Sequence, residues 1–322
     1  MPLPVIADVD TGVDDALALL FLASHPDIDL RAVTCVAGNA SLAQVTQNTL
    51  DVLAVAGSDA PVAAGSQRPL IEPARDAGSY HGANGIGNLH LPPSPRTAEP
   101  VHATELLRRE IETSAGPVTV LSLAPLTNIA LLLRLYPHLA SQIARIVVMG
   151  GSSSAGNASA VAEFNVWHDP EAAQIVLSSS VPTTVYPLDV FNRVVASETQ
   201  ISQLRDAATP RARLAASLLD YQVTLADLPD DITSGAKLGD AGTAVFLVAP
   251  EHIGTETWPV EVELNAGFSR GQTVVDRRHR PGEAEEHGLV TPVSRSDIAL
   301  TVDGPAVAGV FVDALLRAEP VP

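Results

Sequence analysis

Apolar and polar positions fall into blocks along this chain, and the blocks set out its elements before any chemistry is considered. Residues 5–7 form a short apolar run that reads as a strand, and 14–24 read as a helix stopped by His25-Pro26, because the residue before a proline is pushed out of the helical region. Residues 31–37 predict a second strand. Gly38-Asn39 turns the chain, and 42–56 predict the next helix. Residues 61–64 are a short strand, while 118–121, 143–149 and 183–186 are further β-rich runs, each followed by turn residues and then by helical periodicity. Strands alternating with helices in this way predict an α/β fold: a mostly parallel, open, Rossmann-like central sheet with helices on both faces. In such sheets a ligand sits beyond the carboxyl ends of the strands.

Two stretches break the alternation. Residues 65–100 are rich in Gly, Pro and Ser and carry His81-Gly82-Ala83-Asn84-Gly85; a loop of that length is usually functional or disordered, and a flap over a site is the expectation. Residues 150–168 are irregular as well and hold Asn157, Glu163 and Asn165. Further on, 210–240 look helical with a polar break at 229–234, 258–291 suggest a small C-terminal β extension, and 306–316 suggest a closing helix. No internal repeat, linker or low-complexity block interrupts the chain, so one domain over residues 1–322 is expected.

Composition changes this picture in three places. Apolar residues make up 46% of the 322 positions but aromatics only 4%, so Val, Leu, Ile and Ala must fill the core. A formal charge of −18 argues against nucleic acid or an anionic membrane as partner, since both call for basic patches. Cys35 is the single cysteine, which rules out an intramolecular disulfide, and its apolar setting reads as a small buried hydrophobe. No basic segment precedes the first apolar stretch, and residues 16–23 are far too short to span a bilayer. A cytoplasmic protein is the expectation.

The candidate chemistry begins where the first strand ends. Asp8, Asp10, Asp14 and Asp15 fall within eight residues. One or two acids could cap the following helix, but four repel one another and would raise their own pKa values. A bound cation removes that problem, and hard oxygen ligands suit Ca²⁺ or Mg²⁺ rather than zinc. An EF-hand loop counted from Asp8 fails, because Gly12 and Val13 stand at its fifth and sixth positions. A strand followed by Asp-x-Asp-x-Gly also resembles phosphatases of the haloacid-dehalogenase type, whose first Asp is a nucleophile, and locally that reading stays open.

Over the whole chain a different resemblance takes shape. Asp8-Val9-Asp10-Thr11-Gly12-Val13-Asp14-Asp15-Ala16 is similar to the signature of the nucleoside hydrolases, the inosine-uridine-preferring type among them. Further matches follow in the family's order: Gly38-Asn39, His81-Gly82, Pro125-Leu126-Thr127-Asn128, Val147-Val148-Met149-Gly150-Gly151, Gly156-Asn157, Glu163-Phe164-Asn165, Asp169-Pro170-Glu171, Leu188-Asp189 and Asp240. The resemblance implies Ca²⁺-dependent hydrolysis of the N-glycosidic bond of ribonucleosides through an oxocarbenium-like transition state, with one Ca²⁺ per chain. It implies that Asp10 is both metal ligand and general base, and that Asp15, Asp240 and the carbonyl of Leu123 complete the ligands. Asp14, Asn39, Asn157, Glu163 and Asn165 match the sugar-binding set, and Met149 lines the pocket floor or simply packs in the core. Asp8, lower on the strand, is read as a support for the others. Asp169-Pro170-Glu171 reads as a helix start. The family's usual assembly implies a homodimer or homotetramer.

Two departures concern the base-facing half. Base-nonspecific members of the family carry a His before the last metal-binding Asp as leaving-group acid, and here Gly239 stands there. The family's His-Gly-x-Asp-Gly appears with Asn84 in place of Asp. His81 is the remaining motif candidate for the acid, or else it only positions its loop or a sugar hydroxyl. A chain lacking a strong acid is expected to cut a nitrophenyl riboside much faster than inosine or uridine. Two other readings remain: a non-catalytic ribose-binding relative, suggested by Gly239, and a phosphotransferase using Asp8 as nucleophile with Lys237 and Asp240 downstream.

Overall fold

The computed structural model describes residues 1–75, 77–225, 232, 234–278 and 294–317. Its centre is a nine-stranded sheet. Strand β1 (Leu3–Val9) lies between β2 (Ile28–Cys35) and β4 (Val118–Ser122), parallel to both, and β3 (Val62–Ala64) extends the β2 side. On the other side β5 (Ile143–Met149) and β6 (Thr183–Tyr186) continue the parallel run. These strands are near-continuous Val/Ile/Leu/Ala runs because helices cover both their faces.

The chain builds β1, β2 and β3 outward in one direction, then returns across β1 to start β4 on its other side. The connection therefore reverses direction between β1 and β4, and the crevice that opens at the carboxyl ends of such a strand pair is where open α/β sheets bind ligands. Asp8 is paired with Ser122 at that point, so the acid cluster begins at the switch point itself.

Helix α1 (Val13–Ser24) follows β1 directly, and its residues from Val13 through Leu22 are all buried. A helix apolar all round must have neighbours all round; α1 packs on α2 (Leu42–Ala56), on α10 (Pro210–Thr224), on α11 (Asp240–Phe246) and on the closing helix Gly304–Leu316. That packing carries Asp240 to the N-terminus of α1. Helix α2 has clear punctuation: the Ser41 hydroxyl accepts from the amide of Gln44, and Gly57 closes it in the left-handed region. The 65–100 stretch contains the four-residue helix α3 (Gly78–His81).

The expected β extension belongs to the main sheet. Strand β9 (Ile253–Val262) pairs antiparallel with β10 (Thr273–Val275) and with β11 (Arg295–Val302), and β11 joins the parallel block beside β6. The predicted break at 229–234 lies mostly outside the described residues, and so does the end of the extension beyond residue 278. No helix among the described residues is long and apolar enough to cross a membrane.

Candidate active site

A cleft of ≈ 910 Å³ opens at the carboxyl ends of the parallel strands. Asp14, Asn39, His81, Leu123, Met149, Asn157, Glu163, Asn165 and Asp240 all line it. Asp10 and Asp15 sit just beneath, fully buried.

The turn from β1 into α1 aims the acids. Asp15 stands three residues into α1, and its carboxylate reaches back to accept the Gly12 amide at 2.9 Å and the Asp10 amide at 3.2 Å. The Asn39 side-chain amide donates to Asp10 Oδ1 at 3.2 Å and Asp15 Oδ2 at 3.1 Å, tying the two carboxylates together. The backbone amide of Asn39 donates to Asp10 Oδ2 at 2.7 Å. That approach needs a glycine next door, since a Cβ on Gly38 would stand 2.0 Å from Asp10 Oδ2.

One carboxylate oxygen from each of Asp14, Asp15 and Asp240 lies within 4.8 Å of the other two. The tightest triplet thus takes Asp14, read from the sequence as a ribose contact, and leaves Asp10 beside it, joined through Asn39. Asp14 Oδ1 is buried without a hydrogen-bond partner. Burial first, and neighbouring carboxylates second, raise Asp15 to about 7 and hold Asp10 and Asp240 well above the usual carboxylate range. A cluster of uncompensated buried acids is costly unless protons or a cation neutralise it. The all-oxygen donor set, with a buried Asp14 oxygen that makes no hydrogen bond, fits a hard divalent cation.

The polar set in the irregular stretch after β5 and at the start of α6 (Phe164–His168) is held by backbone groups. Glu163 caps α6, accepting the amides of Gly151, Asn165 and Val166 at 2.9, 2.7 and 3.1 Å. Burial raises it to about 7 against the pull of those bonds. The Asn165 side-chain amide donates to the Leu123 carbonyl at 3.0 Å and the Met149 carbonyl at 3.2 Å. Asn157 Oδ1 accepts the Phe164 amide at 2.9 Å.

His81 is buried against the turn, and its Nδ1 accepts the amide of Val13 at 3.1 Å. Burial lowers its pKa, with Asp14 opposing. With Nδ1 accepting from Val13, the ring nitrogen left to donate is Nε2. The flap that carries it is tied down by the Tyr80 hydroxyl to Gln222 at 3.0 Å, by the Tyr221 hydroxyl to the Tyr80 carbonyl at 2.9 Å, and by Asn48, which donates to the carbonyls of Thr11 and Asn84.

Asp8 does not line the cleft. It is fully buried, and its Oδ1 accepts from Thr34 Oγ1 at 2.6 Å and from Asn128 Nδ2 at 2.8 Å, with burial raising it to about 7. A nucleophile in that position has no access to substrate. Asn128 also donates to the Cys35 carbonyl and accepts the Ser66 amide, and Thr127 donates to Asp169, the N-cap of α7 (Pro170–Leu177). The sequence showed these as motif residues without a task; their task is to lock β1, β2 and the loop after β3 beneath the acids.

Other cleft residues carried no sequence signal: Phe191, closing α8 (Leu188–Phe191), then Asn192 and Arg193. Lys237 lines the cleft as well, on β8 (Ala236–Lys237), which pairs with β7 (Val195–Ala196). From the sequence it stood out as the sole lysine and as the downstream basic residue of the phosphotransferase reading. Gly239, at φ +58° and ψ −125°, occupies a backbone region open essentially to glycine alone.

A family model described as inosine-uridine preferring nucleoside hydrolase matches residues 5–307. The chain is 39% identical over 278 residues to a pyrimidine-specific ribonucleoside hydrolase, RihA, of Photobacterium profundum, covering 86% of this chain and 90% of that one. It is 37% identical to an inosine-uridine preferring nucleoside hydrolase of Leishmania major over 98% of both chains. Among solved structures, a plant nucleoside hydrolase superposes with a TM-score of 0.88 at 27% identity, covering 99% of this chain and 100% of that one. A purine-preferring ribonucleoside hydrolase from Gardnerella vaginalis gives 0.87 at 28%, covering 97% and 98%.

Proposed function

Because the chain belongs to the inosine-uridine preferring nucleoside hydrolase family, and so to enzymes that hydrolyse the N-glycosidic bond of ribonucleosides, we propose that it releases ribose and free base with one Ca²⁺ held at the acid cluster. The observation that carries this reading is the buried triplet Asp14, Asp15 and Asp240 at the floor of a cleft large enough for a nucleoside. Asp10, Asp15, Asp240 and the Leu123 carbonyl are the proposed ligands, with Asp14 close enough to share the ion or to meet the ribose hydroxyls beside it. When bound, the cation would lower the pKa of a water and hold sugar hydroxyls.

The chain's own residues supply the rest. Asp10 takes the proton of the attacking water, a role that suits a carboxylate held by Asn39 and kept from the charged form until a cation is near. Asn39, Asn157, Glu163 and Asn165 orient the ribose, and the acids around C1′ stabilise positive charge as the sugar becomes oxocarbenium-like. Met149 forms the floor under the sugar. His81, neutral and anchored through Nδ1, offers Nε2–H as a hydrogen-bond donor and closes the flap over the substrate.

The reading is tested by ribose release from a panel of purine and pyrimidine ribonucleosides, with Ca²⁺ and with chelator. Ribose released only in the presence of the ion is the expected result. Phosphate release from phosphate esters would point to another chemistry, and ligand binding without turnover would make the chain a ribose-holding relative.

A further inference from the structure

Breaking the bond between C1′ and the base nitrogen leaves an electron pair on the departing base, so a donor or a cation is needed where that charge develops. Position 239 supplies none: a Cβ there would stand 2.6 Å from the Asp14 Cβ and 3.1 Å from Phe191 Cζ. His81 is anchored through Nδ1 on the Val13 amide, which leaves Nε2–H as its donor and the charge of the leaving base still to be offset. The Tyr80 hydroxyl donates to Gln222, and Trp167 lies under the Arg75 guanidinium at 4.2 Å. Among the described residues lining the cleft, the permanent cations are Arg193, exposed at the rim, and Lys237, buried.

The local backbone places Lys237 well. Lys237 ends β8, is buried, and lines the cleft three residues before Asp240. All the other 18 of the chain's 19 basic residues are arginine. An ammonium and a guanidinium are both permanent cations near neutral pH, and either can donate to a base oxygen or nitrogen.

Taking the cleft as the site of N-glycosidic cleavage, we infer that Lys237 is the leaving-group residue, its ammonium hydrogen-bonding the departing base and offsetting the charge that develops there. The oxygen of water bonds to C1′ as the bond to the base breaks. The electron pair goes to the base, and the proton of the water goes to the carboxylate beside it. The base departs as an anion paired with the ammonium and takes a proton from solvent. The substrates so favoured are those with an acceptor next to the glycosidic nitrogen, such as O2 of uracil or N3 of a purine.

The test compares kcat/KM on uridine, on inosine and on p-nitrophenyl riboside, whose leaving group needs no help, for wild type, Lys237→Met and Lys237→Arg. A wild-type enzyme that cuts none of the three counts against the hydrolase reading, not against Lys237. The expected result is that Lys237→Met lowers the ratio of nucleoside to nitrophenyl riboside kcat/KM about 100-fold, with Lys237→Arg recovering most of the loss. A ratio unchanged in Lys237→Met, or lost equally in Lys237→Arg, overturns the assignment. Thermal midpoints are read in parallel, and Lys237→Gln takes the place of the methionine variant should that one not fold.

Discussion

At the scale of single residues, the proposed chemistry rests on the acids, and their setting makes a distinctive outcome for Asp10→Asn. Both Asp10 oxygens accept from Asn39, and burial with nearby carboxylates disfavours its charge. The amide removes a base and a negative charge but fills the same space. Turnover is expected to fall by at least ~10³-fold, since general base and metal assistance are lost together. The thermal midpoint without Ca²⁺ is expected to hold or rise, because one of the crowded charges is gone. Ribose release and a melting curve on the same preparation check both halves. The acids were legible because they are neighbours in sequence. Which of them close on one point was not, because a strand-to-helix turn can aim Asp10 and Asp14 in several ways. The work of Asn128 was hidden for another reason: its partners Asp8, Cys35 and Ser66 lie far back along the chain.

At the scale of elements, local signals carried most of the reading. Helix α2 and strands β5 and β6 begin and end where the pattern places them, because caps, turns and apolar runs agree there. Helix α4 (Ala103–Thr113) was not singled out; its arginines and glutamates are dense, and its apolar face is only Leu106, Leu107 and Ile111 with small neighbours. Strand β11 was also missed, since Arg295 and Asp297 interrupt it and its partners β9 and β6 are remote. The flap shows what an element owes to a few bonds. Tyr221→Phe removes the hydroxyl that holds the Tyr80 carbonyl beside His81. A lost neutral hydrogen bond is worth about 1 kcal/mol, so KM is expected to rise roughly fivefold with kcat little changed. Steady-state kinetics on uridine measures it, and a fall in kcat alone would disconnect the bond from flap closure.

At the scale of the whole molecule, the buried acids tie stability to pH and to the cation. Asp8, Asp15 and Glu163 are raised to about 7 from ordinary values of 3.8, 3.8 and 4.5. Between those limits the folded state binds more protons than the unfolded one. Stability without metal is therefore greatest below pH 4 as far as these groups are concerned, and is lost as pH rises through 7. The proposed Ca²⁺ would bind the deprotonated form, so the increment it adds is expected to be larger at pH 8 than at pH 5. Melting curves with Ca²⁺ and with chelator at the two pH values measure it, and equal increments would place the ion elsewhere.

The joining of Asp240 to Asp14 and Asp15 also has a kinetic meaning. Two acids of the triplet are among the first residues made, and the third, Asp240, arrives only when α11 docks on α1. Contacts so distant in sequence form late, because a long loop must close before they repay its entropy. A half-made or misassembled chain would present its aspartates without enclosing anything, so affinity for the proposed ion would report that the C-terminal third has docked.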